Sequence, residues 1–298
     1  MSTAALMAAK KALARRWLPG IATAALLSAV AAAAAASPAA AARHSPAAIG
    51  ATQPPGYQVV SSGPVSAPKG TASSGAFATC PAGTVVWGGG VAFDNANGPS
   101  LTVNTSSPNG SGGWEGWVNN TGDTTRQFAV DAICADKPAG YKIVSREVSS
   151  PPRTQSHATA TCPAPDVLLG GGALATADQA ADVLTSAWPA TSAKFTGYLD
   201  NGTTTQANII ADAVCGHKPA GYKIASNNVA LEPGFTLADG IPCPAGTSAL
   251  SGGAQDPDHV PLVQIAGSIS QSPTAWAIQV NNDDQSVHQV NGYVICAA

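Results

Sequence analysis

Alternating apolar and polar positions recur along the chain and predict short β-strands. The clearest run, residues 128–134, has an apolar side chain at every second position and ends at Cys134. A period of two is typical of a strand with one buried face. The same pattern ends at Cys215 and again at Cys296, so the closing cysteine is expected on the buried face each time.

A second strand precedes each of these runs and carries an aromatic residue. Trp114, Phe195 and Trp276 occupy equivalent positions in it, and we expect them in the core. A polar pair follows each strand, Asn119-Asn120 in the first case. Polar pairs with Gly and Asp neighbours predict hairpin turns between the two strands.

A third strand ends in glycines. It spans residues 85–90, 167–172 and 249–253, shortly after a Cys-Pro pair in each case. A phosphate-binding loop would need a following helix and a Lys-Ser/Thr pair, and neither is present. Glycines in a strand more often mark a bulge or a close approach of two backbones, which is the role expected here.

These strands belong to a unit of about 81 residues that occurs three times. A fixed internal period decides the architecture before any local pattern does. Each unit holds about six short strands, so we predict an all-β fold of three tandem β-sandwich-like modules, each with one intramodule disulfide. A single β-trefoil or β-prism is disfavoured, because the repeats of those folds are about half as long.

The repeat also sets the domain boundaries. The modules are predicted at residues 55–137, 138–218 and 219–298, and the short connections between them indicate direct packing. Residues 1–42 have the basic head, apolar run and Ala-rich cleavage region of a secretory signal peptide. Residues 43–54 are rich in Ala and Pro and predict a linker.

Six cysteines in an exported chain favour disulfides over metal thiolates. Each unit contains one pair, which most simply closes within its own unit. Closing a loop of that length stabilises a fold by about 4 kcal/mol in the chain-entropy model. The predicted disulfides are Cys80–Cys134, Cys162–Cys215 and Cys243–Cys296.

Cleavage of the signal changes the charge of the chain. Four of the 14 basic residues lie in the signal, which leaves 10 basic against 17 acidic residues, a net charge near −7. Nucleic acid is therefore not an expected partner, since it requires a basic face. No second long apolar segment occurs, so no membrane span is predicted after cleavage, and the expected location is extracellular.

Two stretches of the repeat, residues 80–90 and 128–135, resemble a module found in exported proteins of actinobacteria, most of them of unassigned function. The resemblance covers residues 55–298. The third unit departs from it at Ser251, within the glycine run, and the second at Pro165, which replaces a glycine. The resemblance implies secretion and an all-β module, and it supplies no catalytic residue.

No catalytic constellation recurs between the units. A nucleophile elbow is absent and glutamate is scarce. Asp131 and Asp212 correspond between the first two units, but Tyr293 replaces them in the third, so a structural polar contact is favoured. We therefore expect a non-catalytic secreted protein that binds glycan or protein at the cell envelope or in the matrix.

The third unit contains an acidic loop, and Asp256, Asp258 and His259 are the metal-ligand candidates in it. Oxygen-rich loops of this kind can bind Ca²⁺, although turns use the same residues, and no other cofactor is expected. Together with Glu147, these residues also define the alternative function, a secreted polysaccharide-active enzyme with its site at a module interface.

Two aromatic residues give the sharpest hint of a ligand. Trp117 and Tyr198 follow the core aromatics by three residues, so alternation places them on the opposite face of their strand. Exposed aromatic rings stack on sugars or anchor protein partners. The competing interpretation is that both rings pack against a neighbouring module. Gln279 stands at this position in the third unit.

Overall fold

The computed structural model describes residues 52–93, 100–177, 180–234 and 236–298. Within these ranges the chain forms nineteen β-strands and one short 3-10 helix, so the all-β prediction is confirmed. The predicted signal peptide, residues 1–42, and most of the linker lie outside the described residues.

The first module contains seven strands, and the second and third contain six each. The first is built from β1 (Gln58–Ser61), β2 (Val65–Ala67), β3 (Thr71–Thr79), β4 (Thr84–Phe93), β5 (Leu101–Pro108), β6 (Gly113–Asn120) and β7 (Arg126–Asp136), with the 3-10 helix at Gly110–Gly112. The second is built from β8 (Lys142–Ser150), β9 (Thr154–Thr161), β10 (Val167–Ala175), β11 (Asp182–Thr191), β12 (Lys194–Asn201) and β13 (Ala207–Gly216). The third is built from β14 (Lys223–Leu231), β15 (Thr236–Pro242), β16 (Ser248–Gln255), β17 (Val263–Ser272), β18 (Ala275–Asn282) and β19 (His288–Ala297).

Three antiparallel sheets share these strands, and each sheet joins half of one module to half of the next. Sheet 1 has the order β1-β7-β4-β17-β18-β15, with β2 also paired to β7. Sheet 2 has the order β3-β6-β5-β10-β13-β8, and sheet 3 has the order β14-β19-β16-β11-β12-β9. The predicted direct packing of the modules is therefore confirmed as continuous hydrogen-bonded pairing from one module to the next.

Each module retains the sandwich-like character expected from its strand pattern. Its two half-sheets face each other across a core that contains Trp114, Phe195 or Trp276, each at most 1% exposed. The three predicted disulfides are present, one per module. Their second cysteines are fully buried on the closing strand, as the alternation predicted.

The polar pairs do not form hairpin turns, and that prediction is wrong. β6 and β7 lie in different sheets, so the connection after Asn120 crosses from one sheet to another. The Asn120 side chain holds this crossover, because its Nδ2 donates to the carbonyl oxygens of Ala67 and Thr124, both at 2.9 Å. Asn201 and Asn282 make the equivalent bonds in the other modules.

The first residue of each glycine run lies where β4, β10 and β16 contact one another. A Cβ on Gly88 would overlap the carbonyl oxygen of Leu250, and one on Gly170 would overlap that of Trp87. Ser251 occupies the equivalent position in the third module. Its Cβ lies 2.8 Å from a Cβ added at Gly88 and 3.0 Å from one added at Gly170. One side chain therefore fits at this centre, which explains why the third run begins with serine.

The remaining glycines of each run serve core packing and strand pairing. The second glycine lies under the core aromatic ring: Gly89 under Trp114, Gly171 under Phe195 and Gly252 under Trp276. The third glycine faces a backbone carbonyl oxygen on the strand that the adjoining module contributes. Gly90 faces the carbonyl oxygen of Ser268, Gly172 faces that of Ser106, and Gly253 faces that of Ala187. The expected close approach of two backbones is confirmed.

A tyrosine at the start of each module ties it to the module on its other side. The Tyr141 hydroxyl donates to the Val86 carbonyl oxygen at 2.9 Å, and the Tyr222 hydroxyl donates to that of Leu168 at 2.8 Å. Tyr57 donates in the same way to the third module, at 2.9 Å from the Ala249 carbonyl oxygen. The three modules therefore form a closed ring.

Candidate functional site

Trp117 lies on the outer face of sheet 2, next to an exposed phenylalanine. Alternation along β6 buries Trp114, Gly116 and Val118 and leaves Trp117 half-buried on the opposite face, as predicted. The indole covers Gly75 of the edge strand β3, where a Cβ would lie 2.6 Å from the ring. Phe77 meets it edge to face, with ring centroids 6.1 Å apart, and is 48% exposed.

Glu115 lies beside this aromatic pair in the same strand. It stands directly opposite Phe77 on one side and Ser107 on the other. Burial raises the pKa of the Glu115 carboxyl, a hydrogen bond with the Trp117 side chain opposes the shift, and the negative charge of Asp212 adds to it. An aromatic pair and a polar acceptor therefore share one open sheet face.

Asp212 continues the row across the sheet from the second module. Gly172 lies between Ser107 and Asp212 and has no side chain, so the two residues meet across it. One Asp212 carboxylate oxygen accepts a hydrogen bond from the Ser107 hydroxyl and the other accepts one from Ser145. This carboxylate thus links the two modules, in agreement with the structural role that the sequence favoured.

Tyr198, the second predicted aromatic, lies on the outer face of sheet 3 between two imidazole rings. His157 approaches from β9, with centroids 4.8 Å apart and planes 16° from parallel. His259 approaches from the far side of β12, with centroids 4.1 Å apart and planes 8° from parallel. Trp188 contacts the same ring at 5.7 Å. Since His259 belongs to the third module, Tyr198 does pack against a neighbouring module.

The predicted metal ligands are only partly brought together. Asp256 and Asp258 converge with His288, and one ligand atom from each lies within 4.8 Å of the others. His259 points instead to Tyr198. Glu147 lies on sheet 2 and accepts a hydrogen bond from the Asn208 side chain, so it shares no sheet with the acidic loop.

Sequence reasoning did not select Phe77, Trp188 or His157 as site residues. Each becomes part of a cluster through strand pairing, as with His157, which stands directly opposite Tyr198. The missing signal was the register between strands far apart in sequence.

No protein-family model matches this chain, and no curated protein is significantly similar to it. Among the described residues, no helix has the length and apolar character needed to cross a membrane.

Proposed function

We propose that this is a secreted, non-catalytic protein that binds glycan at the cell envelope or in the extracellular matrix. The observation that carries the proposal is the Phe77–Trp117 pair on the open outer face of sheet 2. Sugar rings present C–H faces to aromatic side chains and hydroxyls to polar acceptors. Glu115, between the pair and Ser107, supplies such an acceptor.

Sheet 2 is favoured over sheet 3 for this role. Both faces of the Tyr198 ring are occupied by imidazoles, so a sugar has no free face to stack on. Phe77, in contrast, exposes nearly half of its surface. Three disulfides suit an extracellular setting, and the actinobacterial resemblance of residues 80–90 supports secretion from a cell of that kind.

Removing both rings should weaken binding. We expect the Phe77→Ala/Trp117→Ala variant to lose about tenfold or more in affinity for peptidoglycan, cellulose, chitin or whole cells, whichever retains the wild type, because buried aromatic contacts dominate such interfaces. Pull-down followed by isotherms on the retained polymer measures this.

Leu262→Ala is the matched control, since Leu262 is 45% exposed and lies in the third module. It should bind as the wild type does. Equal retention of the Phe77→Ala/Trp117→Ala variant and the wild type would overturn the glycan site. Absence of retention on every polymer, with capture by a surface protein, would favour the protein-binding form of the proposal.

A polysaccharide hydrolase is the second candidate, and one observation favours it. Glu115 and Asp212 come from different modules and share one face, and burial together with the Asp212 charge raises the Glu115 pKa, as suits a general acid.

This candidate predicts that Glu115→Gln abolishes reducing-sugar release from a polysaccharide while binding persists. Glutamine keeps the shape of the side chain but carries no proton to donate. No release by the wild type from any polymer that it binds would remove the hydrolase and leave the non-catalytic proposal.

A further inference from the structure

Asp256 is held in place by the loop that follows β16. It is 1% exposed, and its carboxylate oxygens accept hydrogen bonds from the backbone N–H groups of Asp258, at 3.1 Å, and Val260, at 2.6 Å. Each carboxylate oxygen has two lone pairs, so one on each oxygen remains for another partner. The tight turn brings the exposed Asp258 side chain back beside Asp256.

His288 approaches these carboxylates from the first residue of β19. Its side chain is more than nine-tenths buried, and its Nε2 lies 2.7 Å from Asp284 Oδ2. The Asn282 side-chain Oδ1 accepts a hydrogen bond from the backbone N–H of Asp284 at 3.0 Å, and this bond fixes the turn that holds Asp284. A carboxylate on one imidazole nitrogen is the usual outer partner of a metal-ligating histidine, because it fixes the tautomer and directs the other nitrogen to the metal.

The group is not neutralised by other side chains. In the described part of the chain, no Lys or Arg lies within ion-pair distance of Asp256 or Asp258. The equivalent of His288 is Arg126 in the first module and Ala207 in the second, so the combination is specific to the third.

We propose that Asp256, Asp258 and His288 bind a divalent transition metal ion of the Zn²⁺ class, with Asp284 as the outer partner of His288. Ligand atoms about 2.0–2.2 Å from a tetrahedral metal lie about 3.4 Å apart, so the three atoms, which lie within 4.8 Å of one another, would have to close by up to about 1.4 Å on binding. One imidazole and two carboxylates suit zinc, whereas calcium takes oxygen ligands alone. Three protein ligands leave a fourth position open for water or a ligand group.

The test is calorimetric titration of the chelator-treated, disulfide-intact protein with Zn²⁺, and with Ca²⁺ for comparison. We expect one Zn²⁺ per chain, a higher melting temperature with zinc, and weaker binding of Ca²⁺. His288→Ala and Asp258→Ala should each lower the Zn²⁺ affinity by at least about tenfold, and Asp284→Asn should lower it by about 10–100-fold.

His259→Ala is the matched control, because His259 adjoins Asp258 in sequence but turns to Tyr198. It should bind Zn²⁺ as the wild type does. Loss of binding in His259→Ala with binding retained in His288→Ala would overturn the proposed ligand set. Unchanged binding in the Asp258→Ala/His288→Ala variant would show adventitious surface binding only. Circular dichroism of each variant separates loss of the site from loss of the fold.

Discussion

Replacing Asp182 by valine should raise the melting temperature by about 4–8 °C at pH 7.5, which corresponds to roughly 2 kcal/mol in a domain of this size. Asp182 is fully buried, and neither carboxylate oxygen has a hydrogen-bond partner among the described residues. Its register partner is Asn201, and the equivalent positions of the other modules hold Leu101 and Val263, both in the core. An apolar side chain therefore fits where a carboxyl group now lies.

The gain should depend on pH. Burial raises the pKa of Asp182 to about 6, and the charge of Asp200 contributes to the shift. Below the ordinary pKa near 3.8, both folded and unfolded chains hold the proton and ionisation costs nothing. As the pH rises from there to about 6, the unfolded chain ionises first, so the free energy of unfolding of the wild type falls. The advantage of Asp182→Val should widen over this range and then level off.

Asp182→Asn separates the two contributions. It removes the charge but keeps a polar group, so it should recover the pH-dependent part of the gain and little of the rest. Thermal unfolding of the three proteins between pH 4 and pH 8 measures both parts. A lower melting temperature of Asp182→Val at every pH would show that the carboxyl group has a stabilising partner.

Gly90→Ala should destabilise the fold by at least about 3 kcal/mol and lower the melting temperature by about 6–12 °C. Its Cβ would overlap the Ser268 carbonyl oxygen, which is backbone and cannot rotate away. β4 and β17 would have to separate, and these strands join the first module to the third in sheet 1.

Gly112→Ala is the control for this substitution. Gly112 lies in the 3-10 helix, and an added Cβ there meets no atom of the described part of the chain within 4 Å. The free energy of unfolding of Gly112→Ala should stay within about 1 kcal/mol of the wild-type value. Alanine at an unstrained position mainly reduces the conformational freedom of the unfolded chain. Equal melting temperatures for Gly90→Ala and the wild type would contradict the described pairing of β4 and β17.

Local pattern and repetition were sufficient to predict strands, buried faces and disulfides. Val130 and Ala132 lie two residues apart on either side of Asp131 and are fully buried, and Cys134 pairs with Cys80. The sharing of sheets between modules could not be predicted in the same way. It depends on edge pairing such as Ala173 with Ser106, which leaves no periodic signature in either strand.

The candidate sites show the same division. Alternation placed Trp117 and Tyr198 on outer faces, but exposure depends on what crosses those faces. The loop after β16 lays His259 on Tyr198, whereas Phe77 leaves the Trp117 surface open. Asp256 and Asp258 of the acidic loop lie together, and the pairing of β19 with β16 brings His288 beside them in place of His259.

The bond from Tyr57 to Ala249 closes the ring at the one junction that has no peptide connection, and it repeats the bonds at the two junctions that have one. The contacts between two neighbouring modules therefore do not depend on a peptide link between them. Three separate copies of a single-module chain could make the same contacts as a cyclic trimer. The single chain differs from such a trimer in that Ser251, Asp182 and His288 each occur in one module only.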